Sequence, residues 1–219
     1  MHAKKIELYK TRLTLTREQK EILVGLLLGD GHLETQNSGR TFRLKIEHSV
    51  KQRPYVDWLY ERFRSWVLTP PQKKLKIVRG RMHEEWWFTT LSHGALRYYG
   101  HLFYQKGIKV VPRIIAHLLT PRAFAVWFMD DGSVKSSATN GRLINTHGFT
   151  RHDVRRLCAT LNCQFNLHTR ERYQRDGWQI FIPAEDATTL VALLQPYMIP
   201  FFAYKLPRIE KGNTPMPKK

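Results

Sequence analysis

Asp30 and Asp131 are the two residues best placed to do chemistry. Each closes an apolar run, Ile22-Leu23-Val24-Gly25-Leu26-Leu27-Leu28-Gly29-Asp30-Gly31 in one case and Phe124-Ala125-Val126-Trp127-Phe128-Met129-Asp130-Asp131-Gly132 in the other. A helix apolar on every side must be buried, and a carboxylate at its C-terminal end opposes the helix dipole, which favours cations there. One such acid reads as a solvent-facing helix end. Two of them, in matching contexts far apart in the chain, ask for a shared reason. Gly25 and Gly29 leave a smooth stripe on which a second helix can lie close. Packed side by side, the helices bring Asp30 and Asp131 together at one end, where adjacent carboxylates repel unless cations intervene. Divalent metal ions supply that neutralisation and activate a water against a phosphodiester.

The elements that would hold these acids repeat along the chain. Thr16-Arg17-Glu18-Gln19 has the form of a capping box, and Thr120-Pro121 offers an N-cap followed by proline at the first helical position. Both helices end in Asp-Gly, where glycine suits a left-handed C-terminal position. After Asp30 come a short polar strand, a turn at Asn37-Ser38-Gly39 and a strand Phe42–His48 with Phe42, Leu44 and Ile46 on one face. After Asp131 come a strand over Gly132–Lys135, a turn at Asn140-Gly141 and a strand Leu143–His147. A helix follows in each half, Tyr55–Trp66 in the first and one capped by Thr150-x-x-Asp153 in the second. Hairpins come next: Leu75–Val78 with Glu85–Leu91, and Gln164–Tyr173 with Trp178–Ile182 about a turn at Asp176-Gly177. Helices near Gly94–Tyr104 and Ala184–Gln195 close the halves. The spacing predicts an α+β fold of two pseudo-symmetric α-β-β-α-β-β-α halves, residues 1–105 with a basic N-terminal arm and 106–219 with a basic C-terminal tail. The tail 211–219 reads as mobile.

Charge points to the partner. The chain has 219 residues, 36 Lys+Arg against 18 Asp+Glu, and a net charge of +18. That excess suits a polyanion, nucleic acid before membrane, because no apolar run approaches the roughly 20 residues a span needs. With 42% hydrophobic and 12% aromatic residues the chain can bury a core and is not disordered. Two cysteines, Cys158 and Cys163, make neither a zinc set nor a disulfide framework, and the start of the chain lacks an apolar signal-peptide core. These features fit an intracellular protein.

The two runs, each followed by the same pattern of elements, resemble the paired motifs of single-chain LAGLIDADG homing endonucleases over nearly the whole chain. Trp66-Val67-Leu68-Thr69-Pro70-Pro71-Gln72-Lys73-Lys74, Trp127-Phe128-Met129-Asp130-Asp131-Gly132 and Tyr204-Lys205-Leu206-Pro207 are similar to the branch of the yeast omega-intron endonuclease. The resemblance implies saddle-shaped antiparallel sheets against DNA and a monomer that recognises a long asymmetric target. It implies Mg²⁺ held by Asp30 and Asp131, with the backbone carbonyls of Gly29 and Asp130 as further ligands. Mn²⁺ would substitute, and Ca²⁺ would support binding without cleavage. Each strand is then cut across the minor groove, leaving short 3′ overhangs, with Lys109 and Lys205 ordering water or stabilising developing charge. It also implies an organellar location if the gene lies in an intron. The sequence departs from the family at Leu28 and Met129, where the motif carries an acid, and at Val126 and Asp130, where the first helix has glycines. Asymmetric halves are the expected result.

Reading of DNA falls to the polar strand faces, which fit the major groove. The candidates are Arg40, Arg43, Lys45 and Glu47 in the first half. In the second they are Lys135, Arg142, Asn145, His147, Gln164, Asn166, His168, Arg170 and Arg172. Lys73, Lys74, Lys76, Arg79 and Arg81 suit phosphates, which position without specifying. An intron maturase or a non-cleaving nucleic-acid binder would share the basic sheets. A structural RNA-binding protein would share the charge, but the paired Asp-Gly helix ends would then have no purpose.

Overall fold

The computed structural model describes residues 3–78, 80–136 and 139–209. Arg79 and the tail 211–219 lie outside them.

The first half runs α1 (Ala3–Lys10), α2 (Arg17–Leu28), β1 (His32–Glu34), β2 (Arg43–Ser49), α3 (Arg53–Phe63), β3 (Gln72–Val78), β4 (Arg81–Thr89) and α4 (Arg97–Phe103). A two-stranded hairpin, β5 (Tyr104–Gln105) and β6 (Ile108–Lys109), straddles the expected division at 105/106 and leads to a short α5 (Ile115–Leu118). The second half runs α6 (Pro121–Asp131), β7 (Gly132–Ser136), β8 (Thr139–Asn145), α7 (Arg151–Phe165), β9 (Arg170–Gln174), β10 (Gly177–Ile182) and α8 (Ala187–Leu194). The two four-stranded sheets are antiparallel with the same strand order, β1-β2-β4-β3 and β7-β8-β10-β9. This is the repeated α+β unit read from the sequence.

The two motif helices start where their caps dictate. Thr16 and Gln19 bond each other's backbone N–H with their side chains, and Thr120 accepts from Ala123 N. Ile22, Leu23, Leu26 and Leu27 of α2 and every residue from Ala123 to Phe128 of α6 are fully buried. Each large apolar side chain so buried contributes about 1.5–3 kcal/mol, so the helix pair anchors the core shared by both halves. The glycine stripe is what lets the helices touch. A Cβ on Gly25 would stand 2.4 Å from the Ala123 carbonyl oxygen, and one on Gly29 2.4 Å from the Asp130 carboxylate.

Several boundaries differ from the sequence reading. Neither motif glycine is left-handed. Gly132 has φ −65°, and a Cβ there would meet the Phe128 carbonyl oxygen at 2.4 Å, while one on Gly31 would meet Leu26 at 2.7 Å. Glycine is needed because the chain turns from helix to strand against its own last turn, not for its φ. Asn140-Gly141 lies within β8 rather than at its turn. The helix α7 continues through Gln164, so the second hairpin starts at Arg170, six residues later than expected. The strong amphipathic pattern of α7 carries past the point where polar residues suggested a strand, and Asn166 ends it in the left-handed conformation, φ 52°.

Candidate active site

Asp131 is the last residue of α6 and Asp30 lies two residues beyond α2. The two ends are unequal. The Asp30 side chain is 54% exposed, whereas Asp131 is half-buried and accepts a hydrogen bond from Trp127 Nε1, one turn back, at 3.2 Å. Burial first, and then the charge of Asp30, pushes the Asp131 carboxyl up to about 7. The two acids therefore lie within electrostatic reach at one end of the helix pair.

Asp130 occupies the space that Gly29 leaves. Its Oδ2 accepts the Asp30 backbone N–H at 3.0 Å, while its Oδ1 is buried with no hydrogen-bond partner. Burial, reinforced by Asp30 and Asp131, holds its pKa well above the usual carboxylate range. Beside it lie the buried hydroxyl of Tyr55, which faces the Asp130 carboxyl outside good hydrogen-bond geometry, and His48, whose ring is 5.2 Å from that of Tyr55. The His48 side chain is 5% exposed and sets Nδ1 3.8 Å from Asp30 Oδ2. Among the described residues, Asp30, His48 and Asp130 form a trio whose potential ligand atoms all lie within 4.8 Å of one another.

Two lysines flank the acids, one from the hairpin between the halves and one from the end of the second half. The β5–β6 hairpin carries Lys109, whose Nζ donates to the Gly29 and Gly31 carbonyls at 2.7 and 2.8 Å. A 3₁₀ turn over Pro200–Lys205 carries Lys205, whose Nζ donates to the Met129 and Asp130 carbonyls, the latter at 3.1 Å. Burial lowers the pKa of both ammonium groups, against the raising influence of the three aspartates. The Gly29 and Asp130 carbonyls, expected as metal ligands, thus accept from lysines here.

The strand-face candidates divide by parity. In the first half Arg43, Lys45 and Glu47 share a face of β2 opposite the buried Leu44, Ile46 and His48. Lys74 and Lys76 of β3 reach the same patch. Glu34 pairs with Arg43 and Lys45, and Glu47 with Lys45, Lys74 and Lys76. Burial alone would raise the Glu47 pKa, but hydrogen bonding with Glu85, and then with Lys74, Lys76 and Lys45, holds it well below the carboxylate range. Lys73 points to the other face and pairs with Glu84. Arg40 is an exposed loop residue bonded to Asn37 O, and Arg81 is exposed at the start of β4.

In the second half Lys135, Asn145, Arg170 and Arg172 share a sheet face, with Lys135 and Arg170 on either side of the Phe181 ring at 4.6 and 5.1 Å. Gln179, absent from the sequence reading, bonds Asn145 Oδ1 across that face. His147 is exposed just beyond β8. Four candidates lie elsewhere. Arg142 is 4% exposed and gives its guanidinium to the Gly141, Lys205 and Leu206 carbonyls, because its strand parity is that of the core residue Ile144. Gln164 sits on α7 and bonds Ala116 O, Asn166 caps that helix, and His168 bonds Asp186 in the following loop. The longer α7 removes these three from the strand.

His48, the carboxyl of Asp130 and Tyr55 escaped the sequence reading. Only His48 left a signal, as a polar residue in step with the apolar face of its strand.

A family model described as the LAGLIDADG DNA endonuclease family matches residues 20–190. The chain belongs to that family. It is 30% identical to a "Probable intron-encoded endonuclease 1" of Wickerhamomyces canadensis, covering 94% of this chain and 91% of that one. It is 29% identical to the DNA endonuclease I-ChuI of Chlamydomonas applanata, over 92% of this chain and 100% of that one. The cytochrome b mRNA maturase bI2 of Debaryomyces hansenii is 26% identical, over 88% of this chain and 74% of that one. Among solved structures, the homing endonuclease I-WcaI bound to its DNA recognition sequence superposes with a TM-score of 0.88 at 29% identity, over 94% of this chain and 93% of that one.

Proposed function

We propose that this LAGLIDADG protein is a site-specific endonuclease that hydrolyses both strands of a long asymmetric DNA target, using divalent metal at Asp30 and Asp131. The single observation that carries the reading is the meeting of Asp30 and Asp131 at one end of the α2–α6 interface, where the Asp30 N–H bonds the side chain of Asp130, the neighbour of Asp131, at 3.0 Å. Mutual repulsion of neighbouring carboxylates is relieved by cations, and the donor set of carboxylate and carbonyl oxygens suits Mg²⁺. The ions would be held by Asp30 and Asp131, with the Gly29 and Asp130 carbonyls as further ligands. Bound there, they would activate the attacking water and stabilise the departing oxygen. Lys109 and Lys205, fixed by backbone carbonyls beside the acids, present positive charge to the scissile phosphates. The strand faces with Arg43, Lys45, Lys74 and Lys76 in one half, and Lys135, Asn145, Arg170 and Arg172 in the other, contact the DNA on either side of the cut.

The protein acts as a monomer, since one chain carries both acids. Mn²⁺ substitutes for Mg²⁺ and Ca²⁺ supports binding alone. Cleavage crosses the minor groove and leaves short 3′ overhangs. The intron-encoded names of the relatives fit an organellar origin. Incubation with a library of long duplexes and Mg²⁺, followed by sequencing of the ends, tests this. Discrete double-strand cuts at one site, absent with Asp131→Asn, are expected. A second reading, an intron maturase, has the 26% identity to a cytochrome b maturase in its favour. It gains if intron RNA is bound and no duplex is cut.

A further inference from the structure

The two metal positions that the repeated fold would provide are not equivalent. His32 and Ser133 each follow their motif aspartate by two residues, and they pair across the sheet with Lys45 and Leu143. Three residues on from those partners stand His48 and Thr146, which therefore occupy the same place in the two halves. Likewise Asp130 and Gly29 each precede the aspartate by one. The first half thus combines Asp30 with an imidazole and a second carboxyl from across the helix interface. At the matching places of the second half stand Thr146, whose hydroxyl is spent on the Trp178 carbonyl, and Gly29, which has no side chain.

From this geometry we infer that His48 Nδ1 and the Asp130 carboxyl join Asp30 in a mixed nitrogen–oxygen site for a first-row divalent transition ion, in the first half alone. The inference rests on the metal reading above and adds two ligands to it. His48 and Asp30 approach to 3.8 Å, too long for a hydrogen bond and short enough that a small inward movement of Asp30 lets both bind one ion at about 2.0–2.2 Å each. Asp130 Oδ1 is buried with only the Tyr55 hydroxyl beside it, outside good hydrogen-bond geometry, so it keeps a lone pair to offer an ion. The trio spans 4.8 Å at most, and the exposed Asp30 side chain can swing inward to close it. Imidazole favours transition ions over Mg²⁺, so Mn²⁺ should hold this position more tightly than Mg²⁺ does.

Pulsed electron paramagnetic resonance on bound Mn²⁺ reads the inference directly, with the full chain alone and on its mapped duplex. Nitrogen modulation of the Mn²⁺ signal is expected in the wild type and in His32→Gln, and its loss in His48→Gln. Asp130→Asn should weaken Mn²⁺ binding by about tenfold or more, as disturbing a metal's immediate surroundings does. Mn²⁺ bound without nitrogen modulation, or modulation that persists in His48→Gln, would overturn the site while leaving metal-dependent cleavage intact. Failure to retain Mn²⁺ in either state would overturn both readings. Thermal melts of His48→Gln and Asp130→Asn identify a variant that has lost its signal by unfolding. For such a variant His48→Asn or Asp130→Ser takes its place, and the same outcomes decide.

Discussion

On the proposed function Lys205 has two duties, which two assays on one variant would separate. The residue is 7% exposed and its ammonium bonds two carbonyls at the end of α6. Lys205→Met strands both acceptors, which costs about 1–3 kcal/mol, and also removes the cation that the proposed function sets against the scissile phosphate, worth about 10²-fold in rate. The expected outcome is a lower melting temperature together with a kcat deficit that persists at saturating DNA. A thermal melt and single-turnover kinetics check the two parts. Glu47 makes a prediction about pH. Its folded pKa is depressed, so its ion pairs contribute stability above the unfolded carboxylate value of about 4.3, and that contribution is lost as pH falls through the folded value. Wild type and Glu47→Gln should therefore differ at pH 7, by about 1 kcal/mol because the paired lysines stay partly solvated, and should converge in acid. Urea denaturation across that range measures it.

Packing of α2 on α6 sets the distance between the acids, and the glycine stripe sets the packing. Gly25→Ala should favour the isolated helix by about 1 kcal/mol. Its new Cβ, however, would stand 2.4 Å from the Ala123 carbonyl and 2.7 Å from Val126 Cβ, and overpacking of this kind costs about 1–3 kcal/mol. The clash is with backbone, so packing should win. The variant is expected to melt lower and to lose cleavage more than binding, which a melt and a paired binding and cleavage assay would show. This element was legible in the sequence because apolar runs, caps and small residues are local signals. The end of α7 was not. Its last turn, Cys163-Gln164-Phe165, is polar enough to read as loop or strand, and only packing of Phe165 on Phe124 declares it helix. The same limit hid the destination of Arg142. Its type suggested a DNA face, whereas the register of β8 turned it toward the Lys205 segment.

The halves differ most in how their basic faces are balanced. In the first, Arg43, Lys45, Lys74 and Lys76 are tied to Glu34 and Glu47. In the second, no carboxylate among the described residues pairs with Lys135, Arg170 or Arg172. Phosphate neutralisation by free cations gives the steeper salt dependence. A duplex carrying only the half-site of the second half should therefore bind with a steeper log–log salt slope than the other half-site. Arg172→Ala should reduce the slope by about one if Arg172 meets a phosphate. Titrations at several salt concentrations would reveal equal slopes if this account of the faces were wrong. The pseudo-symmetry itself was readable from the repeat of motif, strands and helix. The charge asymmetry was not, because it depends on which acids fold against which lysines.

Cleavage of the mapped target by Asp131→Asn tests the central claim most directly, with DNA binding measured beside it in Ca²⁺. Loss of a carboxylate that holds an activating metal removes several kcal/mol of transition-state stabilisation, about 10³-fold in rate. Double-strand cutting should fall by at least that factor while binding stays within about tenfold of wild type. Cutting at close to the wild-type rate, with Mg²⁺ still required, would place the metal elsewhere and contradict the account.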